Sequence, residues 1–489
     1  MGSTNRMQLA TVRESTLGVT PGTPRMRTAR LTGESLAYQP IYVDPDEIRA
    51  DRMLDDPILT MIESGGGINY ELSYPDDNSP LSDIIRSAMH NTWVNTPTFD
   101  NDGTADSAIT DAGTTTDTYA VASGGAAVKL GHLVRATGFT NSANNQIFRA
   151  ASSSGTTVVG SSLSLSAETA PPGTAKLKVV GFQGASGDLT ALSDGIGSTD
   201  LDFTTLGLAV GQWLKIGGTA TGDKFATAAC NGWARVSGTI TATKIPLDNL
   251  PTGWTTDAGT SKTVKVWFGD QIKNGVTQTS MTIERGFLDQ SVPTYIVNVG
   301  MVVDTMSVSM ASRAKITGAI AFKGMGGSVG TTALDASPDA VTTGLVMAGN
   351  ANVGRVGVDG SALVSPNWAR SFEVTISNNL RVLEAVDSSS PVGINPGECM
   401  VAGKISTYFG SLGELNKFYN NTATAINSRV AKNSQALIYQ IPRATYRGGG
   451  NPQAGGKNAD VMADFDFQAS KDTLTSAHII IDRIPYFEA

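Results

Sequence analysis

Apolar and polar residues alternate along much of this chain, in short segments separated by glycine-containing turns. Residues 65–74 read GGGINYELSY, which places Ile68, Tyr70 and Leu72 on one face of an extended chain and polar side chains on the other. A period of two residues predicts a β-strand with one buried face. The same alternation recurs in residues 317–324, 371–380 and 460–470. The pattern therefore predicts an all-β protein with many short strands.

Two segments depart from this pattern and predict minor helices. Ser79 is a favourable N-cap, Pro80 suits the first helical position, and an apolar stripe with helical spacing follows. In the second segment, residues 412–430, Ser411 and Glu414 have the spacing of a capping box. The apolar residues of the two stripes are Leu81, Ile84, Ile85 and Ala88 in the first, and Leu415, Phe418, Tyr419, Ile426 and Val430 in the second.

Part of the middle of the chain is written twice. LGHLVRATGF (130–139) aligns with VGQWLKIGGT (210–219), and two further pairs of segments follow in the same order. Each copy has short strands, turn residues and no helical pattern, which predicts two small inserted β modules. A core so small needs large aromatic side chains, and we interpret four tryptophans of the second copy in this way. The further pairs are 144–150 with 230–236 and 174–182 with 261–269, and the tryptophans are Trp213, Trp233, Trp254 and Trp267.

The repeat divides the chain into a discontinuous core and an insertion. Residues 97–123 have few large apolar side chains, so we expect a long loop or hairpin that leads out of the core. Insertions are tolerated at exposed loop tips. We therefore expect a core made of residues 1–123 and 271–489, a first module at 124–187 and a second at 188–270.

Charge and cysteine content exclude several classes of protein. The 489 residues carry 36 Lys and Arg against 44 Asp and Glu, a net charge of −8, which argues against a general grip on nucleic acid. Cys230 and Cys399 lie too far apart in sequence to suggest a disulfide framework or a zinc cluster. The N-terminal segment has no apolar signal region, and no apolar run reaches the ~20 residues that span a bilayer. We expect no membrane partner, and a reducing cytoplasm or a particle assembled there.

Candidate chemistry is sparse. His90, His132 and His478 show no metal-ligand spacing, and His132 aligns with Gln212 in the other copy. We interpret all three as structural, with a titrating contact at an interface as the alternative. Residues 324–330, GMGGSVG, break the dinucleotide-binding pattern at the sixth position and carry no phosphate-binding lysine. We therefore expect no catalytic residues, no metal, no cofactor and no enzymatic activity.

Charged residues are concentrated in residues 44–58, a segment with Pro45 near its start and Pro57 near its end. The segment is not an EF-hand loop, because Ile48 and Arg49 occupy positions where a ligand and a glycine are required. A solvated loop is one interpretation. The alternative is a contact between subunits, in which alternating charges pair with another copy of the chain. The candidate residues for that contact are Asp46, Glu47, Arg49, Asp51, Arg52 and Asp55.

The ordered blocks outside the repeat resemble the siphophage tail tube protein family, the subunits of long non-contractile phage tails. No single block is diagnostic, but their order is fairly specific. The repeated modules resemble accessory β modules that some members carry. The blocks are LTGESLAYQP (31–40), DPDEIRADRMLDD (44–56), GGGINYELSY (65–74), LSDIIRSAMHNTW (81–93), NGVTQTSMTIERGF (274–287), YIVNVGMVVDTMSVSM (295–310), KITGAIAFKG (315–324), VDGSALVSPNWARSFEVTISNN (358–379) and DFDFQAS (464–470).

The resemblance implies a structural virion protein assembled in the host cytoplasm. Its β-sandwich core, with a flanking helix, would join five others in a hexameric ring whose inner sheets close into one β-barrel. Stacked rings would form a tube through which genome DNA passes without specific binding. The implied partners are other copies of the chain, the tape measure protein, and tail tip or terminator proteins. The inserted modules would decorate the outside of the tube.

A second hypothesis is a β-rich adhesin or receptor-binding protein of the virion. Its tandem modules would hold a glycan, because aromatic faces stack on sugars. The four tryptophans of the second copy would support this hypothesis if they were exposed, whereas buried tryptophans would only fill a small core.

Overall fold

The computed structural model describes residues 4–103, 106–452 and 456–488, and within them the chain is built almost entirely of antiparallel strands. Three α-helices accompany the strands: α1 (Pro80–Met89), α2 (Gly349–Asn352) and α3 (Gly413–Tyr419). The strands up to the end of the repeat are β1 (Met7–Arg13), β2 (Arg27–Thr28), β3 (Gly33–Glu34), β4 (Ala37–Val43), β5 (Ile58–Glu71), β6 (Thr98–Asp100), β7 (Ile109–Ala112), β8 (Thr118–Val121), β9 (His132–Thr137), β10 (Ile147–Ser153), β11 (Thr157–Gly160), β12 (Glu168–Thr169), β13 (Lys176–Gln183), β14 (Thr190–Leu192), β15 (Gly195–Gly197), β16 (Trp213–Ile216), β17 (Gly232–Val236), β18 (Lys244–Asp248) and β19 (Lys265–Trp267). The later strands are β20 (Asp270–Lys273), β21 (Met281–Phe287), β22 (Thr294–Ala311), β23 (Thr317–Lys323), β24 (Gly326–Gly330), β25 (Val353–Val358), β26 (Ser361–Ala362), β27 (Ala369–Ser377), β28 (Arg381–Leu383), β29 (Gly393–Asn395), β30 (Met400–Tyr408), β31 (Thr424–Lys432), β32 (Gln435–Gly449), β33 (Met462–Ala469) and β34 (Ile480–Ile484).

The first layer of the core is a broad antiparallel sheet, which we call the wide sheet. It consists of β4, β5, β23, the second half of β22, β27, β30, β33 and the second half of β32, each paired with the next. The predicted alternation is present: Phe372, Val374 and Ile376 of β27 are buried, while the residues between them face outward. The period-two sequence pattern therefore selects which face of this sheet meets the core.

The second layer is formed by the other halves of the same two long strands and their neighbours. The first half of β32 pairs with β31 and β34, and the first half of β22 pairs with β21 and β24. Gly300 has a φ of 66°, and a β-carbon there would lie 2.4 Å from Met325, so only glycine allows β22 to change layer at this point. Passing strands from one layer to the other makes the core a β-sandwich, as predicted.

The core itself lies between the two layers. Ile320 and Phe372 from the wide sheet meet Leu437 and Ile481 from the second layer in one apolar cluster, and all four are almost completely buried. Burying each such side chain contributes about 1.5–3 kcal/mol to folding. Helix α1 lies in this cluster too, with Ile85 fully buried.

The helix predicted after Ser79 is present. The Ser79 hydroxyl accepts a hydrogen bond from the N–H of Ser82, Pro80 is the first helical residue, and the helix ends at Met89. Its C-cap, His90, adopts a left-handed backbone with φ of 45°.

The prediction of one helix over residues 412–430 is wrong. Helix α3 ends at Tyr419, and residues from Thr424 onward form β31, paired with β25 and β32. The left-handed Asn421 lies between the two elements, where it interrupts the helix. The expected capping box is also absent: the N-cap is Leu412, and no side chain caps the helix. Ile426 and Val430 match a helical stripe by spacing, but pairing on both sides makes their segment a strand.

The repeated region forms a second, separate sheet with mirrored strand order. The first copy contributes β7, β8, β11, β10, β9 and β13; the second continues with β19, β16, β17, β18, β15 and β14. Each strand thus has a counterpart at the same distance from the central β13–β19 pair, which places the copies about a local two-fold axis. We call this sheet, together with its added strands β6 and β12, the insert sheet. One apolar cluster with members from both copies lies behind it.

Equivalent hydrogen bonds mark equivalent positions in the two copies. Nδ1 of His132 accepts from the N–H of Lys129, and Oε1 of Gln212 accepts from the N–H of Ala209, each over 3.0 Å. Histidine and glutamine are interchangeable here because both place an acceptor at the same distance from the backbone. Burial lowers the pKa of His132 to about 4, so the imidazole is neutral near pH 7 and can accept this bond.

Residues 97–123 were expected to form a long loop or a hairpin, and the structure has a hairpin there, since β7 pairs with β8. This segment contributes β6, β7 and β8 to the insert sheet. Its few large apolar residues are spaced so that Phe99, Ile109 and Tyr119 are all buried in the cluster behind that sheet. Strands of three or four residues need only one or two apolar side chains each, which made the segment resemble a loop.

Candidate functional site

A hairpin arm projects from one end of the wide sheet. Strands β4 and β5 pair from Ala37↔Gly65 out to Val43↔Ile58, and among the described strands β4 has no other partner. We call residues 44–57 between these strands the arm tip. Every residue of the tip except Pro45 is exposed, and its apolar side chains Ile48, Met53 and Leu54 have no cover from the rest of the chain. Exposed apolar side chains grouped in this way are typical of a surface that contacts another molecule.

The six charged residues predicted for a contact between subunits all lie on the arm tip and are all exposed. Arg49 forms ion pairs with Asp51 and Asp55. The hydrogen bond from Arg49 lowers the pKa of the Asp51 carboxyl. Asp46, Glu47 and Arg52 complete the set, and the contact itself stays a prediction for all six.

The outward face of the wide sheet is a second candidate surface. Cross-strand neighbours form straight rows across six strands, from β5 through β23, β22, β27 and β30 to β33. One row is neutral, and the row beside it carries three carboxylates and one lysine. The neutral row is Asn69, Ala319, Ser307, Thr375, Ala402 and Gln468; the charged row is Glu71, Thr317, Ser309, Glu373, Lys404 and Asp466.

Small side chains and balanced charge characterise this face. Lys404 lies directly between Glu373 and Asp466 in the charged row, and its ammonium contacts Asp464 over 2.7 Å. Neither row contains an arginine or an aromatic residue. These two rows offer little to hold a polyanion, because their one lysine lies between carboxylates.

The insert sheet is docked on the second layer of the core through an apolar cluster. Trp213 and Trp267 are fully buried there against Ile438 and Ile484, while Trp233 stacks edge-to-face on Phe487. The Nε1 of Trp213 donates to Oε1 of Gln440 over 2.9 Å, which fixes the indole to β32. These tryptophans belong to the joint between insert and core.

The interpretation of all four tryptophans as core residues of the second module is therefore corrected. Only Trp254 packs against the cluster behind the insert sheet, and its Nε1 donates to the carbonyl of Leu192. The other three lie on the opposite face of that sheet. Spacing alone placed them in the module but could not say which face they occupy. Trp213 and Trp267 are buried and cannot stack on a sugar, so these two tryptophans do not support an adhesin.

Both copies of the repeat contact the core. Arg135 from the first copy lies over the ring of Tyr486, and Trp267 from the second meets the same ring edge-to-face. Lys265 forms an ion pair with Glu488 over 2.8 Å. The C-terminal segment, residues 485–488, is thus held between the two copies and the core.

A buried ionic network lies where the chain passes between core and insert. Arg483 on β34 contacts Asp270 over 2.7 Å and also Asp77, and Lys178 on β13 contacts both aspartates. Burial would raise the pKa of Asp77, but the charges of Lys178, Arg483 and Lys176 outweigh it and hold that pKa well below its usual value. These residues are far apart in sequence and were not predicted. The charged pair within IIIDRIPY was the available signal, because charges inside an apolar strand need buried partners.

Residues capable of other chemistry are not brought together. Among the described residues no group of three or more histidine, cysteine or carboxylate side chains could hold a metal ion. In the same part of the chain, no helix is long and apolar enough to cross a membrane. Burial lowers the pKa of His90, consistent with its place in the core at the end of α1.

The fold and its surfaces define a class: a β-sandwich structural protein with an exposed arm and a broad polar sheet face, suited to self-assembly. The sequence matches the family model of the phage tail tube protein over residues 4–243 and 235–469. The chain belongs to the phage tail tube protein family, a structural family of the virion tail whose subunits assemble into a tube. A comparison with curated proteins gives no match.

Proposed function

We propose that this protein is the subunit of the tail tube of a siphophage and polymerises as stacked, hexameric rings around a DNA conduit. The observation that carries the proposal is the polar character of the outward face of the wide sheet. In the proposed tube, this face forms the inner wall. Family membership supports assembly into a tube. The face is exposed, continuous over six strands and free of large apolar side chains across its two central rows.

The dimensions of the face suit a ring. Six copies of six strands, ~4.8 Å apart around a closed ring, give a circumference of about 170 Å and a backbone diameter of about 55 Å. Such a ring is wider than a DNA duplex. Edge strands such as β4 would be paired by neighbouring subunits, which also removes the hazard of open sheet edges.

The chemistry of the face suits passage rather than binding. DNA affinity depends on lysine and arginine side chains that neutralise phosphates. The charged row instead carries carboxylates on both sides of Lys404, and the neutral row offers only small polar and methyl groups. DNA would therefore slide along the face without specific contacts.

The remaining surfaces have complementary roles in this proposal. The arm tip contacts a neighbouring subunit, and the insert sheet, on the far side of the core from the inner wall, decorates the exterior. We propose that the inserted unit begins near Pro97 and ends near Phe268, since its strands run from β6 to β19. The tape measure protein inside the tube, with tail tip and terminator proteins at its ends, would be the other partners. Assembly would take place in the host cytoplasm.

Electron microscopy of the purified protein tests the proposal. At high concentration we expect tubes with a central channel and six-fold rotational symmetry. A protein that stays monomeric at every concentration, or that forms sheets without a channel, would contradict it. Replacing residues 44–57 with a short turn should abolish the tubes while leaving the monomer folded, as measured by circular dichroism.

Chemical accessibility tests the inner wall separately. Thr375→Cys, in a Cys399→Ser background, is labelled with biotin; streptavidin should bind it in monomers but not in intact tubes. Thr156→Cys, at an exposed turn of the insert, is the matched control and should bind streptavidin in both states. Streptavidin binding at Thr375→Cys along intact tubes would show that this face is not the inner wall.

A further inference from the structure

A cleft of about 490 Å³ lies where the end of β1, the segment leading into β2 and the residues before β21 meet helix α1. Because β1 pairs with β21 of the second layer, the cleft is separate from the two polar rows of the wide sheet. We call it the arginine cleft, since four of its lining residues are Arg13, Arg25, Arg27 and Arg86. Four guanidinium groups around one space repel one another unless negative charge lies among them.

The chain supplies too few carboxylates to pair all four arginines. Asp83 is shared, since it contacts Nε of Arg13 over 3.1 Å and Nη1 of Arg27 over 3.3 Å. Asp339 is shared in the same way between Arg25, over 2.9 Å, and Arg27, over 3.9 Å. Two carboxylates therefore serve three of the arginines, and each of them is divided between two cations.

Glu14 also lines the cleft, but its carboxylate is occupied by neutral donors. It accepts hydrogen bonds from the N–H groups of Gly18 and Gly300 and from the hydroxyls of Ser280 and Thr282. Two carboxylate oxygens accept about four hydrogen bonds, so Glu14 has no acceptor site left for a guanidinium.

Arg86 is the arginine without a carboxylate partner. Within the described chain its side chain forms no ion pair and no hydrogen bond, and its Nε is buried. Burial and the nearby charge of Arg13 lower the pKa of Arg86. The Nε of Arg27 and the Nε2 of Gln278, another residue of the lining, are likewise buried without a hydrogen-bond partner in the described residues. Buried donors left unsatisfied are costly, so the folded site lacks an acceptor.

We propose that the arginine cleft binds a phosphate-type oxyanion, held by Arg13, Arg27 and Arg86. The planar guanidinium fork matches the oxygens of a phosphate and donates two parallel hydrogen bonds to them. A tetrahedral anion has oxygens in four directions, which suits donors that come from β1, β2 and α1, whereas a planar carboxylate has only two. Gln278 and the hydroxyls of Thr277 and Thr279 lie in the same lining and supply neutral donors. This binding site goes beyond the tube function and does not depend on it.

Equilibrium dialysis of the monomeric protein against radiolabelled inorganic phosphate, at fixed ionic strength, tests the site. We expect saturable binding of one phosphate per chain. Arg86→Gln should weaken binding about tenfold or more, the effect of losing a hydrogen bond to a charged group. Arg86→Lys should weaken it less, because lysine keeps the charge and loses only the fork. Arg381→Gln, at an exposed arginine of β28, is the matched control and should bind phosphate like the wild type.

Three results of the dialysis would overturn the inference. The first is the absence of saturable binding, and the second is equal weakening by Arg86→Gln and Arg381→Gln. The third is phosphate that binds monomers but is released when the chains polymerise, since that result would assign the cleft to an acidic group of a neighbouring copy.

Thermal denaturation separates a ligand site from a purely structural role of Arg86. Without phosphate, the Tm of Arg86→Gln should equal or exceed that of the wild type, because the substitution removes an unpaired cation that Arg13 repels. Added phosphate should raise the Tm of the wild type but not that of the variant, with chloride at the same ionic strength as the reference. A variant less stable than the wild type by the same amount at every phosphate concentration would make Arg86 structural and overturn the inference.

Discussion

The Nε of Arg483 donates a hydrogen bond to Oδ2 of Asp270 over 2.7 Å, and each of the two side chains is 1% exposed. Asp270 opens β20, directly after the insert, and Arg483 lies in the last strand of the chain; the two residues are paired in the β20–β34 ladder. The bond therefore ties the exit of the insert to the C-terminal strand. Lys178 and Asp77 extend it into the network that joins the insert to the core.

Removing the charge of Asp270 should be strongly destabilising. Asp270→Asn keeps the shape but leaves Arg483 and Lys178 buried with one carboxylate fewer, which costs about 3–5 kcal/mol. Urea denaturation of the monomeric protein measures the change. Asp194→Asn is the control, because Asp194 pairs with Lys244 at an exposed site, and it should leave the free energy of unfolding unchanged within error. Equal effects of the two variants would mean that the network does not stabilise the joint.

The stability contributed by Asp482 should fall as pH rises. Burial raises the pKa of its carboxyl to about 7 in the folded chain, against ~3.9 in an unfolded one. Between these values the unfolded chain binds fewer protons than the folded chain, so the free energy of unfolding decreases with increasing pH, by about 1.4 kcal/mol per unit. Below pH ~4 and above pH ~7 the contribution is constant.

Asp482→Asn isolates this effect from other titrating groups. The difference in unfolding free energy between the variant and the wild type should shift in favour of the variant as pH rises from about 4 to 7. A difference independent of pH would show that the Asp482 carboxyl does not titrate in this range. The variant also loses one of two accepted bonds, since Asp482 accepts from Gln271 and from the N–H of Trp213. This loss adds a constant offset, and the slope is the test.

The position of a deletion should decide whether the core survives. Val94 and Gln271 exchange backbone hydrogen bonds, so the chain enters and leaves the insert at adjacent points. Removing residues 97–268 joins these points by a short hairpin loop and should leave a folded core. Removing 124–270 deletes Asp270 and leaves strands β6 to β8 without the sheet to which they belong. This protein should therefore be unfolded or aggregated. Gel filtration and circular dichroism distinguish the outcomes, and an equally folded product from both deletions would contradict the proposed boundary.

Added positive charge on the proposed inner wall should slow DNA passage. Ser307 and Thr375 are cross-strand neighbours in the neutral row, so Ser307→Arg with Thr375→Arg places two cations side by side. Tubes should still assemble, but DNA ejection should become slower and more salt-dependent, because arginine displaces counterions from phosphate. Ser307→Gln with Thr375→Gln controls for side-chain bulk. Ejection that responds equally to both pairs would point to a steric effect instead.

Local patterns predicted the elements more reliably than the partners of those elements. The period-two alternation around Phe372 and the cap at Ser79 each depend on neighbouring residues, and both are present in the structure. The segment from Leu412 failed because helical spacing over a short stretch also fits a strand paired on both sides. The charges of Asp482 and Arg483 inside an apolar strand signalled buried partners, but the sequence could not say which residues those partners are, since the network's members come from four distant parts of the chain.

The sequence by itself determined that this protein is mostly β, that one unit is written twice, and that the charged segment at 44–58 lies apart from the apolar pattern. These properties follow from the order of neighbouring side chains. Only the tertiary structure decided that the two copies form one sheet about a local axis, and that Trp213 and Trp267 face the core. Such relationships depend on which strands pair and which faces meet, and buried area and paired charge over the whole chain select them.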